Sequence, residues 1–252
     1  MITTGSISTV IENNVATITF YHPASNSFPS KLLQQLTDEL HLLSKNTNIA
    51  LIILKSEGAS TFCAGASFEE LLAIKTQEEG TQFFNGFANV INAMRTCPKL
   101  IIGRIHGKAV GGGVGLAAAC DYCFATDSSD IRLSEIAVGI GPFVIEPAVS
   151  RKIGKTAFTE MTLNPMEWKS AEWALENKLF TEVFSTSDLL DKRLLAFVSE
   201  LSAYNPLALE AIKIVLWEGT EAWDKLLYER AAISGALVLS TATKSALQKF
   251  KK

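Results

Sequence analysis

The chain has 252 residues; 48% are hydrophobic, 19% are charged, and the formal net charge at pH 7 is −3. This composition excludes an intrinsically disordered chain, and the length fits one large α/β domain or a domain with a smaller appendage. Basic residues cluster only at Lys249, Lys251 and Lys252 near the end of the chain, so a nucleic-acid partner is disfavoured.

The first half of the chain begins with two strand patterns, Ser6–Glu12 and Val15–Tyr21, separated by an Asn-Asn pair typical of a tight hairpin. Leucines at helical spacing predict a helix that begins at Ser27 or Pro29. The elements predicted after it are a buried strand at Ile49–Leu54, a loop over Glu57–Phe68, a helix from Thr76 to Arg95 and a strand at Leu100–Ile105.

The second half begins with the glycine-rich segment Ala109–Gly115, which leads into a helix pattern of small residues. From residue 188 onward the pattern is helical. We therefore predict an α/β core over residues 1–187 and a helical region over residues 188–252. The elements predicted between the glycines and residue 188 are strands at Tyr122–Ala125, Ile131–Leu133 and Leu179–Phe184, a second glycine turn at Gly139–Pro142, and helices at Pro147–Ile153, Thr156–Leu163 and Ala171–Asn177.

Membrane and redox features are weak in this sequence. No apolar run approaches the roughly 20 residues of a membrane span, and the amino terminus lacks the pattern of a signal peptide, so we expect a cytoplasmic protein without a membrane partner.

Cys120 and Cys123 form a Cys-x-x-Cys. A redox or metal role is disfavoured for this pair, because residues three apart on a strand point to opposite faces and no second pair completes a zinc site.

Residues 109–115 carry four glycines in five positions ahead of the helix pattern. Glycines let a ligand approach the backbone closely, and the first N–H groups of a helix point at ligand oxygens. The segment is therefore either a phosphate cradle or an oxyanion hole. Gly113–Ala118 fits the Gly-x-Gly-x-x-Ala dinucleotide pattern, which keeps an NAD-dependent oxidoreductase as an alternative. Against it, His106–Val110 separates the glycines from the preceding strand, and Glu135 does not end a second strand.

Several segments together resemble the crotonase superfamily, the enoyl-CoA hydratases and isomerases. Thr61–Phe68 is similar to the family's Phe-x-Ala-Gly-Ala-Asp-Leu loop, and Ile105–Asp121 to its Val-Asn-Gly…Gly-Gly-Gly…Ala-x-x-Cys-Asp segment. The matches follow the family's order over nearly the whole chain. The remaining matches are Ser134–Gly139 to Pro-Glu-x-x-x-Gly, Arg151–Gly154 to Arg-x-x-Gly, and Asn205–Ala208 with Lys213 to the start of the carboxy-terminal helices.

The resemblance implies a crotonase-like spiral of strand-strand-helix units that ends in a helical region. It also implies an acyl-CoA thioester substrate, with coenzyme A bound as part of the substrate and no separate cofactor or metal. The N–H groups of Ala66 and Gly112 would hold the thioester oxygen, where two fixed donors stabilise an enolate by several kcal/mol. The other residues predicted to contact substrate are Ala64, Ser67, Phe68, Gly111, Gly115 and Pro142.

Glu135 is the predicted acid/base. Its neighbours in the sequence are apolar, which favours a buried carboxyl group with a raised pKa. A solvated loop glutamate is the alternative. The neighbours in question are Ile131, Leu133, Ile136 and Val138.

The departures from the family pattern bear on the reaction. Family hydratases usually carry a second glutamate four residues after the first glycine of the triplet, where this chain has Gly115, and the loop aspartate is replaced by Ser67. One carboxylate suffices for 3,2-enoyl-CoA isomerisation, which is the predicted reaction. A one-glutamate hydratase of enoyl-CoA or methylglutaconyl-CoA is the alternative, and Glu146 is a weaker candidate for the missing carboxylate.

Assembly is also predicted. The helical region has more apolar positions than a small appendage can bury, and the family assembles as trimers or paired trimers, so we expect a homotrimer or homohexamer. The positions expected to contact sister subunits are Leu226, Leu227, Ile233, Leu237, Leu239 and Leu247.

The alternative function from another class, besides the oxidoreductase, is a protein that binds acyl-CoA without catalysis.

Overall fold

The computed structural model describes residues 5–250 and contains two β-sheets surrounded by helices. Residues 1–4 and the basic residues Lys251 and Lys252 lie outside this description. The larger sheet has the order β1-β2-β3-β5-β7-β9, with β1 antiparallel to β2 and the other pairs parallel. Its strands are β1 Ser6–Glu12, β2 Val15–Tyr21, β3 Leu51–Ser56, β5 Leu100–Ile105, β7 Tyr122–Thr126 and β9 Glu182–Phe184.

The smaller sheet is parallel, with the order β4-β6-β8. Its strands are short: β4 Thr61–Cys63, β6 Lys108–Val110 and β8 Ile131–Arg132. Each of three successive strand pairs, β3 with β4, β5 with β6 and β7 with β8, contributes one strand to each sheet before the chain continues into helices. The helices after these pairs are α2 Phe68–Ala73 and α3 Gln77–Thr96, then α4 Gly112–Ala119, then α5 Glu146–Leu163. The predicted spiral of strand-strand-helix units is confirmed.

Local sequence explains several boundaries. Asn13 and Asn14 have φ angles of 47° and 59° in the β1–β2 turn, a conformation that asparagine tolerates better than most residues. Helix α3 begins with a capping box in which the Thr76 hydroxyl accepts from the Glu79 N–H and the Glu79 carboxylate accepts from the Thr76 N–H. Gly154 has φ 76° and interrupts α5, which agrees with the two shorter helices that the sequence predicts there.

One prediction from local sequence needs correction. The predicted loop over Glu57–Phe68 contains β4, and α2 begins at its end. A three-residue strand carries no periodic signal, and its pairing partner lies more than 40 residues away at β6. The shortest elements therefore depend on tertiary contacts.

Up to residue 250, where the described part of the chain ends, the carboxy-terminal region contains four helices, α7 Ser187–Leu201, α8 Pro206–Leu216, α9 Trp223–Leu237 and α10 Thr241–Phe250, which follow α6 Ala171–Glu176 and β9. A buried ion pair ties α8 to the α/β core, because Lys213 Nζ donates to both Asp121 oxygens at 2.9 and 2.7 Å. The proposed division into two domains at residue 187 stays a prediction.

The prediction of contacts with sister subunits is wrong for two of the six named positions, Leu227 and Leu247. Leu227 and Leu247 are fully buried within the chain's own core, and Leu226 and Leu239 pack against that core. Ile233 and Leu237 are exposed. Helix α8 carries several exposed apolar side chains, since Leu207 is 73% exposed, Ile214 66% and Val215 62%.

In the described part of the chain, every helix is too short or too polar to cross a membrane.

Candidate active site

The glycine turn between β6 and α4 lies against a carboxyl group. Gly111 has φ 54° and ψ −118°, and a Cβ built on it would lie 2.8 Å from Glu135 Oε1 and 3.2 Å from Glu135 Cδ. Any larger residue would therefore displace the carboxyl group and also strain the backbone. Two of the predicted site positions, far apart in sequence, are in direct contact.

The loop after β4 approaches the same turn. Gly65 has φ 83°, and a Cβ on it would lie 2.8 Å from Val110 O and 3.2 Å from Gly112 N. Phe28 holds this loop on both sides of Ala66: its N–H donates to Gly65 O at 2.7 Å, and its carbonyl accepts from Ser67 N at 3.1 Å. The backbone conformation that presents Ala66 is thus fixed by an independent segment.

Two backbone donors remain available at this junction. Within residues 5–250, neither the Ala66 N–H nor the Gly112 N–H donates a hydrogen bond. Gly112 is the first residue of α4, so its N–H has no acceptor inside the helix and lies at the positive end of the helix dipole. Both residues line one cavity, and the pair is suited to a negatively charged oxygen.

Glu135 lies in the same cavity at the start of a single 3₁₀ turn, Ile136–Val138. The residue is half-buried, but its Oε2 is enclosed and has no hydrogen-bond partner among the described residues. Burial raises the pKa of Glu135 from 4.5 to about 7, against a smaller lowering by a hydrogen bond from its own backbone N–H. A carboxyl group with a pKa near neutrality can both accept and return a proton.

The rest of the cavity wall is mainly apolar. Ser134 and Ser234 provide hydroxyl groups, and Glu135 is the only titratable residue among the lining positions that the structure describes. Ser234 comes from α9, which packs against α3 in the region of Gly80 and Gly235. The apolar wall includes Leu71, Phe84, Phe87, Val138, Ile140 and Ile145.

Four of the six predicted substrate contacts line this cavity: Ala64, Phe68, Gly111 and Pro142. The other two lie outside its wall. Ser67 is buried and caps α2, accepting a hydrogen bond from Glu70 N at 3.4 Å. Gly115 is covered by Ile145, whose Cβ would lie 2.7 Å from a Cβ on Gly115. A direct substrate contact by Ser67 or Gly115 is therefore not supported by their positions.

The same packing argues against the dinucleotide interpretation. A Cβ on Gly113 would lie 2.8 Å from Cys63 Cβ, and Gly115 is covered by Ile145. Gly113 and Gly115 are both buried, so the glycines of the Gly-x-Gly-x-x-Ala pattern serve close packing inside the protein.

Glu146, the candidate for the missing carboxylate, also lies outside the cavity wall. Its side chain accepts from Ser150 Oγ at 2.9 Å and forms an ion pair with Lys155. Both partners lie on α5, so these contacts of the Glu146 carboxylate are made within its own helix and not with the cavity.

The prediction that Cys120 and Cys123 point to opposite faces of one strand is wrong. Cys120 ends α4 and precedes the strand, so strand alternation does not apply to the pair. A Cβ on Gly103 would lie 3.0 Å from Cys120 Sγ and 3.2 Å from Cys123 Sγ, so the two thiols are neighbours above one glycine. Both are buried and reduced. In the described part of the chain, no group of three or more His, Cys, Asp or Glu side chains is placed to hold a metal ion.

Sequence reasoning missed the contributions of Ile145 and Ser234. Ile145 lies in a segment without clear periodicity, and Ser234 is a small polar residue in a helix with no motif around it. Only tertiary packing brings them to the cavity.

Comparison with known proteins extends these observations. The family model for enoyl-CoA hydratase/isomerase matches residues 10–250. The "putative enoyl-CoA hydratase/isomerase YngF" of Bacillus subtilis is 30% identical over 217 residues, covering 84% of this chain and 82% of the relative. A "probable enoyl-CoA hydratase" of the same organism is 30% identical over 157 residues, which cover 62% of this chain and 60% of the relative.

Among solved structures, the enoyl-CoA hydratase from Bacillus halodurans superposes with a TM-score of 0.90 at 24% identity, covering 96% of this chain and 99% of that one. At this identity the superposition establishes the fold, and the predicted crotonase-like fold is confirmed.

Proposed function

The chain belongs to the enoyl-CoA hydratase/isomerase family, and we propose that it moves a proton from C2 to C4 of a 3-enoyl-CoA thioester, with Glu135 as the only acid/base. One observation carries the proposal: within the described residues, Glu135 is the single titratable group on the cavity wall, and its pKa is raised to about 7. An isomerase of this kind needs one group that takes a proton and returns it.

In the proposed reaction, the ionised Glu135 removes a proton from C2 of the substrate. The electron pair of the broken C–H bond moves into the thioester, and the negative charge collects on the thioester oxygen. The N–H groups of Ala66 and Gly112 are available to that oxygen, where two fixed donors stabilise the enolate by several kcal/mol. Glu135 then returns the proton to C4, and the double bond moves from C3–C4 to C2–C3.

The steps require no electron acceptor and no separate cofactor, since coenzyme A enters as part of the substrate. The acyl group of the substrate is expected to occupy the apolar region near Phe84 and Phe87. Because the wall described here carries no cationic side chain, a carboxylate at the end of the acyl group would be buried without a partner, which is costly. We therefore propose an uncharged acyl group, which argues against methylglutaconyl-CoA as the substrate.

Hydration by Glu135 alone is the second candidate. The hydroxyls of Ser134 and Ser234 line the same cavity and can orient a water molecule beside the carboxylate. A second carboxylate from α4 is not available for this purpose, because residue 115 is glycine and Ile145 covers it.

A label-transfer experiment separates the two reactions. With a 3-enoyl-CoA deuterated at C2, the isomerase carries part of the label to C4 of the 2-enoyl product, limited by exchange with solvent while Glu135 holds it. Hydration of the matching 2-enoyl-CoA is expected to be slower. Fast hydration without label transfer would replace the isomerase by the one-glutamate hydratase, and turnover of neither substrate would leave an acyl-CoA-binding protein.

A further inference from the structure

Helix α10 reaches the turn that follows Glu135. Thr243 of this helix is fully buried, and its Oγ1 donates a hydrogen bond to Gly139 O at 2.8 Å. Gly139 has φ 82°, and a Cβ on it would lie 2.8 Å from Thr243 Cα. The helix therefore contacts this turn directly at a position where only glycine leaves room.

The turn that contains Gly139 is closed by the backbone of Glu135. The Glu135 carbonyl accepts from Val138 N at 3.2 Å and from Ile140 N at 2.9 Å. Gly139 lies between these two donors, so a displacement of its peptide also displaces the Glu135 backbone. The Glu135 carboxyl group, in turn, lies against Gly111 so closely that a side chain at position 111 would clash with it.

The direction of the Thr243 hydrogen bond is set by its neighbour Ser240. Ser240 Oγ accepts from Thr243 N at 3.1 Å and donates to Thr243 Oγ1 at 2.9 Å. Because Thr243 Oγ1 accepts from Ser240, its own hydrogen is free to point at Gly139 O. Linked hydrogen bonds of this kind polarise and strengthen one another.

The same helix also packs against α2, which follows the Ala66 loop. One carboxy-terminal helix thus contacts the segment beside the predicted oxyanion donor and the turn that carries the predicted acid/base.

We propose that Thr243 is a positioning residue for Glu135, acting through its hydrogen bond to the Gly139 carbonyl. The expected effect on kcat rests on the proposed function, whereas the hydrogen-bond geometry does not depend on it. Proton transfer is sensitive to placement, and a misplacement of about 1 Å can reduce the rate by 10²-fold. A loosened turn would also admit water to the enclosed Oε2 of Glu135.

Burial raises the pKa of Glu135, and a hydrogen bond from its own backbone N–H lowers it by a smaller amount. The charged side chains on the two helices that pack here are Glu69 and Glu70 on α2, and Lys244 and Lys249 on α10. They are the same in wild type and in the Thr243 variants. A change in the pKa of Glu135 on mutation of Thr243 therefore reports access of water to the carboxyl group.

The test compares Thr243→Val, which keeps the shape and removes the hydroxyl, with Thr243→Ser, which keeps the hydrogen bond. We expect Thr243→Val to lower kcat by roughly 10- to 10²-fold with KM within about threefold, and Thr243→Ser to restore most of kcat. Thr241→Val is the matched control, because Thr241 lies on the same helix and is exposed. A carboxyl-carbon NMR titration is expected to show a lower pKa for Glu135 in Thr243→Val.

Wild-type kcat and an unchanged Glu135 titration in Thr243→Val would overturn the proposal, as would an equal loss in Thr243→Ser. Should Thr243→Val fail to fold, Ser240→Ala removes the donor to Thr243 and is expected to cause a smaller change in the same direction. The NMR titration needs no turnover. If the wild-type protein converts no enoyl-CoA, the proposed function fails, while the titration still decides the role of Thr243.

Discussion

The side chain of Ile145 occupies the space in which a side chain at Gly115 would lie. Gly115 is the position at which the family pattern has a second glutamate, so the two residues together replace a carboxylate by an apolar contact. The loss of the second carboxylate is thus accompanied by a filled core and not by an empty space that water could enter.

This contact predicts how the protein responds to Gly115→Glu. We expect the single variant to lose about 1–3 kcal/mol of unfolding free energy through overpacking and to gain no hydratase activity. The double variant Gly115→Glu/Ile145→Ala is expected to lose less than the sum of the two single changes, because Ile145→Ala makes the room that the glutamate needs. Denaturant unfolding of all four proteins measures the coupling, and strict additivity would contradict the contact.

Glu135→Gln is expected to reduce turnover by roughly 10²–10⁴-fold, because the amide cannot take up the proton from C2. Binding of a CoA thioester is expected to change by less than about tenfold, since size and polarity are kept. Glu146→Gln is the matched control, because Glu146 lies outside the cavity wall. Steady-state kinetics and calorimetric titration distinguish the two effects, and near-normal turnover in Glu135→Gln would mean that another residue is the base.

The raised pKa of Glu135 also predicts a pH dependence of stability. Between its ordinary value of 4.5 and the folded-state value of about 7, the folded protein holds a proton that the unfolded chain has released. The contribution of this group to unfolding free energy is therefore full below pH 4.5 and is lost as the pH rises through about 7. We expect Glu135→Gln to gain stability relative to wild type between pH 5 and pH 8, as measured by denaturant unfolding at both values. A stability difference independent of pH would show that the carboxyl group is solvated.

The apolar cavity predicts discrimination against charged acyl groups. Two six-carbon substrates of the proposed isomerisation differ only at the far end of the chain: hex-3-enoyl-CoA and its counterpart with a terminal carboxylate, 3,4-dehydroadipyl-CoA. We expect the uncharged substrate to be preferred by roughly 10²-fold or more in kcat/KM, because the carboxylate would be buried without a partner. Competition between the two in one reaction measures the ratio, and equal use would point to a cation that approaches only in the bound state.

The exposed face of α8 predicts self-association, in line with the expected homotrimer or homohexamer. Leu207 and Ile214 lie seven residues apart, about two helical turns, and both are exposed. We expect Ile214→Glu to weaken assembly in sedimentation at micromolar concentration, whereas Leu42→Glu, at an exposed leucine of α1 (Ser30–Ser44), leaves it unchanged. A monomeric wild-type protein would exclude the predicted assembly.

The sequence predicted the longer strands well, because β1, β2 and β5 have continuous or alternating apolar patterns that depend on few distant contacts. It predicted Glu135 and the two glycine-rich loops through ordered motifs. Ser234 at the cavity wall and Thr243 at the Gly139 turn could not be predicted, since each is a small polar residue whose position is set by how α9 and α10 dock. The close approach of the Cys120 and Cys123 thiols was not predicted, because the boundary between helix α4 and strand β7 falls between the two residues.

The order of strands in the two sheets has a consequence for synthesis on the ribosome. In both sheets the strands follow one another in chain order, β1-β2-β3-β5-β7-β9 and β4-β6-β8. After the first strand of each sheet, every new strand can therefore pair with a strand that has already been synthesised, namely the preceding strand of the same sheet. The edge remains exposed at every stage, which is when a partly made chain is most prone to aggregate. The last strand of the larger sheet, β9, has only three residues and begins with Glu182, and a short, charged edge is poorly suited to recruit a further strand from another molecule.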